Sequence, residues 1–152
     1  MGYVFENLVR RFSESYNEEA GAHFTSRDII YLMCDLLVAG DESAFTEDGI
    51  SKLVYDMTMG TSQMLTCMEE RLKQLDADAD ITVFGQEFNP FTFGIAKADM
   101  LIRGGDPNNM QFGDTLSEDK FDGYKFDYVM TNEAVICGLT PEKACNIKEF
   151  AA

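Results

Sequence analysis

The sequence predicts a doubly wound α/β domain built on a parallel sheet. Strand-like apolar stretches alternate with stretches of helical periodicity, in the order strand, helix, strand, helix, strand, strand. The four strands run out at polar residues, Asp56, Glu87, Asp114 and Asn132. In such sheets ligands sit beyond the carboxyl ends of the strands, where the strand order reverses. The chain has 152 residues, 45% of them hydrophobic, which suits one domain with a substantial core.

Each element has a local cause. Val4, Phe5, Leu8, Val9, Phe12 and Tyr16 recur at helical spacing and predict a first helix. Gly21 to Thr25 reads as a loop. Ser26 can cap a second helix whose expected core face is Ile29, Ile30, Met33, Leu36 and Leu37, with Gly40 as its stop. After an acidic loop, Lys52 to Asp56 predicts the first strand. Met57 to Ser62 is a turn of small residues, and a helix follows from Gln63 to Leu75 with Met64, Leu65, Met68, Leu72 and Leu75 on one face. Ile81 to Phe84 predicts the second strand, leading to the tip Gly85-Gln86-Glu87. Asn89 starts a helix that Gly104-Gly105 closes. Asn109 to Phe112 and Lys125 to Met130 complete the strands.

Composition narrows the classes. The formal charge is −15, from 27 acidic and 12 basic residues, so the chain by itself repels phosphate. Contact with DNA is expected only through partners. No apolar run reaches the ~18 residues of a membrane span. The start, Met1 to Phe12, lacks the layout of a secretory signal, and Phe5 and Glu6 break a myristoylation match. Cys34, Cys67, Cys137 and Cys145 show no metal-binding spacing and there is one His, so no metal site is expected. The thiols read as reduced, in a cytoplasmic protein.

The strand ends carry the candidate chemistry. Asp56 can accept from a ligand amine, and Gly60 permits a sharp turn and close backbone approach. The helix beyond offers free N–H groups to a carboxylate. One glycine falls short of a dinucleotide fingerprint, so a purely structural turn is the competing reading. Glu87, an acid closing the second strand, suits ribose hydroxyls, against a solvated loop acid as the alternative. Asp114 suits an adenine amino group or the N-cap of a short helix running through Leu116 to Asp119. Both roles are compatible. His23 reads as a surface or core residue, and Met57, Met59 and Met64 as pocket lining.

The ordered motifs resemble the modification subunit of type I restriction-modification systems, a family of S-adenosylmethionine-dependent DNA adenine-N6 methyltransferases. Gly21-Ala22-His23-Phe24-Thr25-Ser26 is similar to the family's G-x-x-F/Y-T-P. Tyr55-Asp56-Met57-Thr58-Met59-Gly60-Thr61-Ser62 is similar to Y-D-P-x-x-G-S-G, with Met57 in place of proline and Ser62 in place of glycine. Gly85-Gln86-Glu87-Phe88-Asn89 matches G-Q-E-x-N, and Ala96 to Leu101 before Gly104 resembles A-K-x-N-L-x-x-x-G. Gly113-Asp114-Thr115-Leu116 matches G-D-T-L, and Phe126 to Asn132 matches F-D-x-x-x-x-N. The match spans residues 3 to 132.

The resemblance implies a Rossmann-like S-adenosylmethionine-dependent methyltransferase fold with N-terminal helices, truncated after about the fourth strand. It divides the chain into an N-terminal helical segment (1–40), a cofactor-binding core (41–132) and a divergent tail (133–152). It implies that Phe24 and Thr25 flank the methionine part of the cofactor. Asp56 and Gly60 meet its amino-acid end, Glu87 the ribose and Asp114 the adenine. Asn132 takes the place of the catalytic Asn of N-P-P-F/Y, but Glu133-Ala134-Val135 supplies neither the prolines nor the stacking ring. The expectation is an S-adenosylmethionine-binding fragment, weak or inactive alone, or else a non-catalytic interaction protein derived from the family. Expected partners are modification or specificity subunits. A fourth strand left uncovered by Val135-Ile136-Cys137 would dimerise or take up a partner chain at its edge.

Overall fold

The computed structural model describes residues 25–46 and 49–131. The expected first helix, Phe24, Asn132, Cys137, Cys145 and the tail 133–152 lie outside the described residues. Four strands, β1 (Ser51–Asp56), β2 (Asp80–Glu87), β3 (Met110–Phe112) and β4 (Tyr128–Met130), form one parallel sheet in the order β3-β2-β1-β4. Three helices, α1 (Arg27–Val38), α2 (Gln63–Leu75) and α3 (Pro90–Arg103), accompany them. Winding runs outward from β1 through β2 to β3, and the chain then returns to add β4 on the other side of β1. The order therefore reverses at β1. No described helix is long and apolar enough to cross a membrane.

All three helices contribute to one core with the inward residues of the sheet. Ile30, Cys34 and Val38 of α1, Leu65, Met68 and Leu72 of α2, and Ala96 and Met100 of α3 pack with Val54, Val83, Met110 and Met130. The connection from β3 to β4 crosses the opposite face. There Tyr55, Met57 and Phe121 are buried, with Phe84, Phe126 and Val129 packed against them. Tyr55 stacks on Phe126 at 4.8 Å between centroids and meets Phe121 edge-on at 5.3 Å. Aromatic side chains thus cover this face along the connection, where the described chain has no helix.

The expected inward face of α1 needs correction. Ile30 is buried and Met33 is partly buried, but Ile29 and Leu36 are 54% and 68% exposed and Leu37 is exposed as well. The buried stripe is Ile30, Cys34, Val38, one residue every helical turn. Periodicity in so apolar a segment fits two faces, and packing against α2 chose the one with Cys34. Ser26 occupies the N-cap position, yet its side chain makes no capping bond. The α2 face is as expected except for Leu75, which is exposed at the last residue.

β2 runs three residues beyond expectation and takes Gly85-Gln86-Glu87 into the sheet, opposite β3. β4 starts three residues late. The Asp127 carboxylate takes the Leu53 N–H at 2.8 Å, a donor that a longer ladder would use, and Phe126 turns into the aromatic cluster. Asn89 caps α3 through bonds from the Phe91 and Thr92 N–H groups, and Gly104 closes it at φ 81°. Cys34 and Cys67 are buried free thiols, and burial pushes the Cys34 thiol up to about 12.

Candidate functional site

Register places the strand ends side by side. Asp56 of β1 stands opposite Gly85 of β2 and Met130 of β4, and Glu87 stands opposite Phe112 of β3. Asp114 follows two residues after Phe112, and the Gly113 N–H donates to the Glu87 carbonyl at 3.0 Å. Asp56, Gly60, Glu87 and Asp114 therefore share the carboxyl edge of the sheet. Thr25 lies on another element, directly before the N-cap of α1.

Asp56 is 1% exposed. Its Oδ1 accepts from the Thr58 N–H at 3.0 Å, while its buried Oδ2 has no partner. Burial pushes this carboxyl up to about 7, the Thr58 N–H opposes the shift, and the Glu87 carboxylate adds to it. An orphaned buried acceptor is costly, so this atom is poised for a donor, best a cationic one.

Glu87 joins two turns. Its Oε2 accepts from the Gly60 N–H at 2.9 Å and its Oε1 from the Asn89 N–H at 2.7 Å. The turn after β1 and the turn after β2 are thus tied by one carboxylate, whose remaining lone pairs can still accept from hydroxyls. The β1 turn also packs tightly over β2. A Cβ on Gly85 would lie 3.0 Å from Met59 Cβ and 3.1 Å from Leu65 Cδ1, and the Met59 N–H donates to the Gln86 carbonyl. Gly60 has φ +54°, as the tight turn requires. Ser62, at the N-cap of α2, is also left-handed at φ 66°, the one described non-glycine residue of this kind.

Asp114 is exposed, and its Oδ1 accepts from the Leu116 N–H at 3.0 Å. The Ser117 and Glu118 N–H groups bond to its carbonyl, so the expected short helix is a series of turns. Phe88, Phe91, Phe112 and Leu116 are exposed around Glu87 and Asp114. Exposed aromatic side chains near a strand end are suited to covering a flat ring.

Sequence reasoning assigned no role to Gln86 and did not single out Thr115. Gln86 is fully buried, donates to the Glu118 carbonyl at 2.8 Å and accepts from the Lys120 N–H at 2.9 Å. Thr115 donates to the Met57 carbonyl at 2.6 Å. The available signal was a long polar side chain inside a buried strand, which must find partners.

Comparisons with known proteins bear on the family and the fold. The sequence model of the family described as N-6 DNA Methylase matches residues 1–134. Over 134 residues the chain is 27% identical to the type I restriction enzyme HindI methylase subunit of Haemophilus influenzae, covering 87% of this chain and 28% of that protein. It is 24% identical over 132 residues to the type I restriction enzyme MjaIX methylase subunit of Methanocaldococcus jannaschii, covering 86% of this chain and 22% of that one. The chain thus spans about a quarter of the length of these relatives. The solved type I restriction-modification methyltransferase subunit from Streptococcus thermophilus aligns with TM-score 0.57 at 28% identity, over 72% of this chain and 22% of that chain. A putative class I S-adenosylmethionine-dependent methyltransferase from Listeria monocytogenes aligns with TM-score 0.65 at 17% identity, over 92% of this chain and 41% of that chain, a likeness of fold.

Proposed function

The chain belongs to the N-6 DNA Methylase family, and from that membership we propose that the carboxyl edge of its sheet binds S-adenosylmethionine, as the cofactor-binding part of a type I DNA adenine-N6 methyltransferase. The observation that carries this is the buried, partnerless Oδ2 of Asp56, which fits the ammonium of the cofactor's amino-acid end. Gly60 brings backbone close to the same end. Glu87 accepts from the ribose hydroxyls, and Asp114 accepts from the adenine amino group, near the exposed Phe88, Phe91, Phe112 and Leu116. Phe24 and Thr25 flank the methionine part. The cofactor supplies an activated methyl group, and the protein's part is alignment.

Asn132 is the residue proposed to accept from the target amine. The run Asn132-Glu133-Ala134-Val135 carries neither the proline pair nor the stacking ring, so turnover by this chain alone is weak or absent. The net charge of −15 supports a reading in which DNA is contacted through partners, with modification or specificity subunits and a cytoplasmic setting as the proposal. The proposed division is 1–40, 41–132 and 133–152, with β4, an outer strand among the described residues, as the proposed contact with a second copy. The same missing proline pair and acidic surface favour a second reading, a non-catalytic interaction protein that retains the fold.

Calorimetry with S-adenosylhomocysteine tests the first reading. Binding is expected, with loss on Glu87→Ala in a protein whose circular dichroism is retained. Absence of heat and of any thermal shift at millimolar cofactor overturns it and leaves the second reading, which capture by a modification or specificity subunit then tests.

A further inference from the structure

The segment after β3 is stitched to both neighbouring strand ends. The Gly113 N–H bonds to the Glu87 carbonyl, Thr115 Oγ1 to the Met57 carbonyl at 2.6 Å, and Tyr55 donates its hydroxyl to Asp119 Oδ1 at 3.1 Å. Among the described residues, the one side chain that grips the segment's backbone at two points is Gln86. Its amide donates to the Glu118 carbonyl and accepts from the Lys120 N–H, at 2.8 and 2.9 Å, and it is wholly buried. These partners fix the amide's orientation, since a carbonyl can only accept and an N–H only donate. Asp114 lies between this grip and β3. Its own contacts are local turn bonds to Leu116, Ser117 and Glu118. A buried strand residue thus holds the far end of the segment, while the Gly113 and Thr115 bonds hold it on either side of the exposed carboxylate.

We infer that Gln86 is a positioning residue for purine recognition: by clamping residues 118 and 120 it holds Asp114 where it can accept from the amino group of an adenine. The inference rests on the cofactor reading above and adds to it a determinant of base selectivity. Removing the amide leaves the Glu118 carbonyl and the Lys120 N–H without this partner and frees the far end of the segment to shift. Selectivity then falls before affinity as a whole does, because Asp56 and Glu87 keep their own supports.

The test compares S-adenosylhomocysteine with S-inosylhomocysteine, which lacks the amino group. The unaltered chain favours the adenine ligand by about tenfold, one hydrogen bond to a charged acceptor on an exposed residue. The near-isosteric Gln86→Met brings the ratio to within about threefold of unity, as Asp114→Ala does, and the double variant loses no more than either single one. A ratio unchanged in Gln86→Met, whatever happens to the two affinities, overturns the inference and leaves Gln86 a packing residue. Amide exchange on the ligand-free protein keeps this separate from the cofactor reading. The Lys120 amide is protected in the unaltered chain, and Gln86→Met speeds its exchange by about tenfold or more relative to the β1 amides. An unprotected Lys120 amide overturns the clamp even if Gln86→Met fails to fold. A protected Lys120 amide in a chain that binds neither ligand sinks the cofactor reading and, with it, the claim of base selectivity.

Discussion

Asp56 sets the pH behaviour of the crevice. Its carboxyl stands near 7, against ~3.9 for an ordinary Asp. The folded chain therefore holds a proton that the unfolded chain has lost, and stability falls as pH rises from about 4 through about 7. The whole effect is on the order of 3–4 kcal/mol. Asp56→Asn is expected to flatten this dependence and to raise the thermal midpoint at pH 8, as read by circular dichroism across the pH range. On the proposed cofactor reading, affinity of the unaltered chain is expected to follow the opposite course and strengthen as pH rises through 7, because the ionised carboxylate is the form that pairs with an ammonium. Ser62 is the second residue of note. Its left-handed backbone costs a side chain ~1 kcal/mol that glycine avoids. Ser62→Gly is expected to be neutral or to stabilise by up to ~1 kcal/mol, and Ser62→Val to destabilise by more than that, in denaturant titrations.

At the scale of elements, α1 offers the plainest test. Ile30→Ala should cost ~2–4 kcal/mol, since Ile30 is fully buried, while Leu36→Ala should change stability by under ~0.5 kcal/mol, since Leu36 is 68% exposed. Equal losses would mean that the helix packs by its other face. The same element shows where sequence was an incomplete guide. Start and stop were legible in Ser26 and Gly40, but the buried face depended on which apolar stripe met α2. By contrast α2 and α3 were legible nearly to the residue, α3 because Asn89 and Gly104 punctuate it chemically and α2 because a turn of small residues precedes its apolar stripe. The ends of β1 and β2 were legible as acids closing apolar runs, Asp56 and Glu87, while β3 ends at Phe112, two residues before Asp114. Their partners were not, because the bonds from Gly60 to Glu87 and from Lys120 to Gln86 join residues 27 and 34 positions apart. Such bonds follow from register, which local pattern does not encode.

For the molecule as a whole, the sheet order leaves β3 and β4 as outer strands among the described residues. Lys52 pairs with Asp41 at 3.0 Å and Asp127 at 3.6 Å, and Tyr128 donates to Asp41 at 2.6 Å, which fastens the start of β4 to β1. The other side of β4 is the proposed contact between copies. Sedimentation over a wide concentration range should show mass rising toward a dimer, and a monomer throughout would remove that proposal. Ligand at about a hundredfold excess over Kd should stabilise the fold by ~2.7 kcal/mol, visible as an upward thermal shift. Glu87 and the exposed Asp114, both at the carboxyl edge of the sheet, carry a kinetic corollary for the proposed ligand. A sulfonium-bearing donor arrives down a negative potential gradient, whereas the spent thioether, with no net charge, drifts in by diffusion alone. Capture of fresh donor should accordingly outpace capture of product in dilute buffer, and added electrolyte, shortening the reach of that field to ~8 Å near physiological strength, should erase most of the advantage.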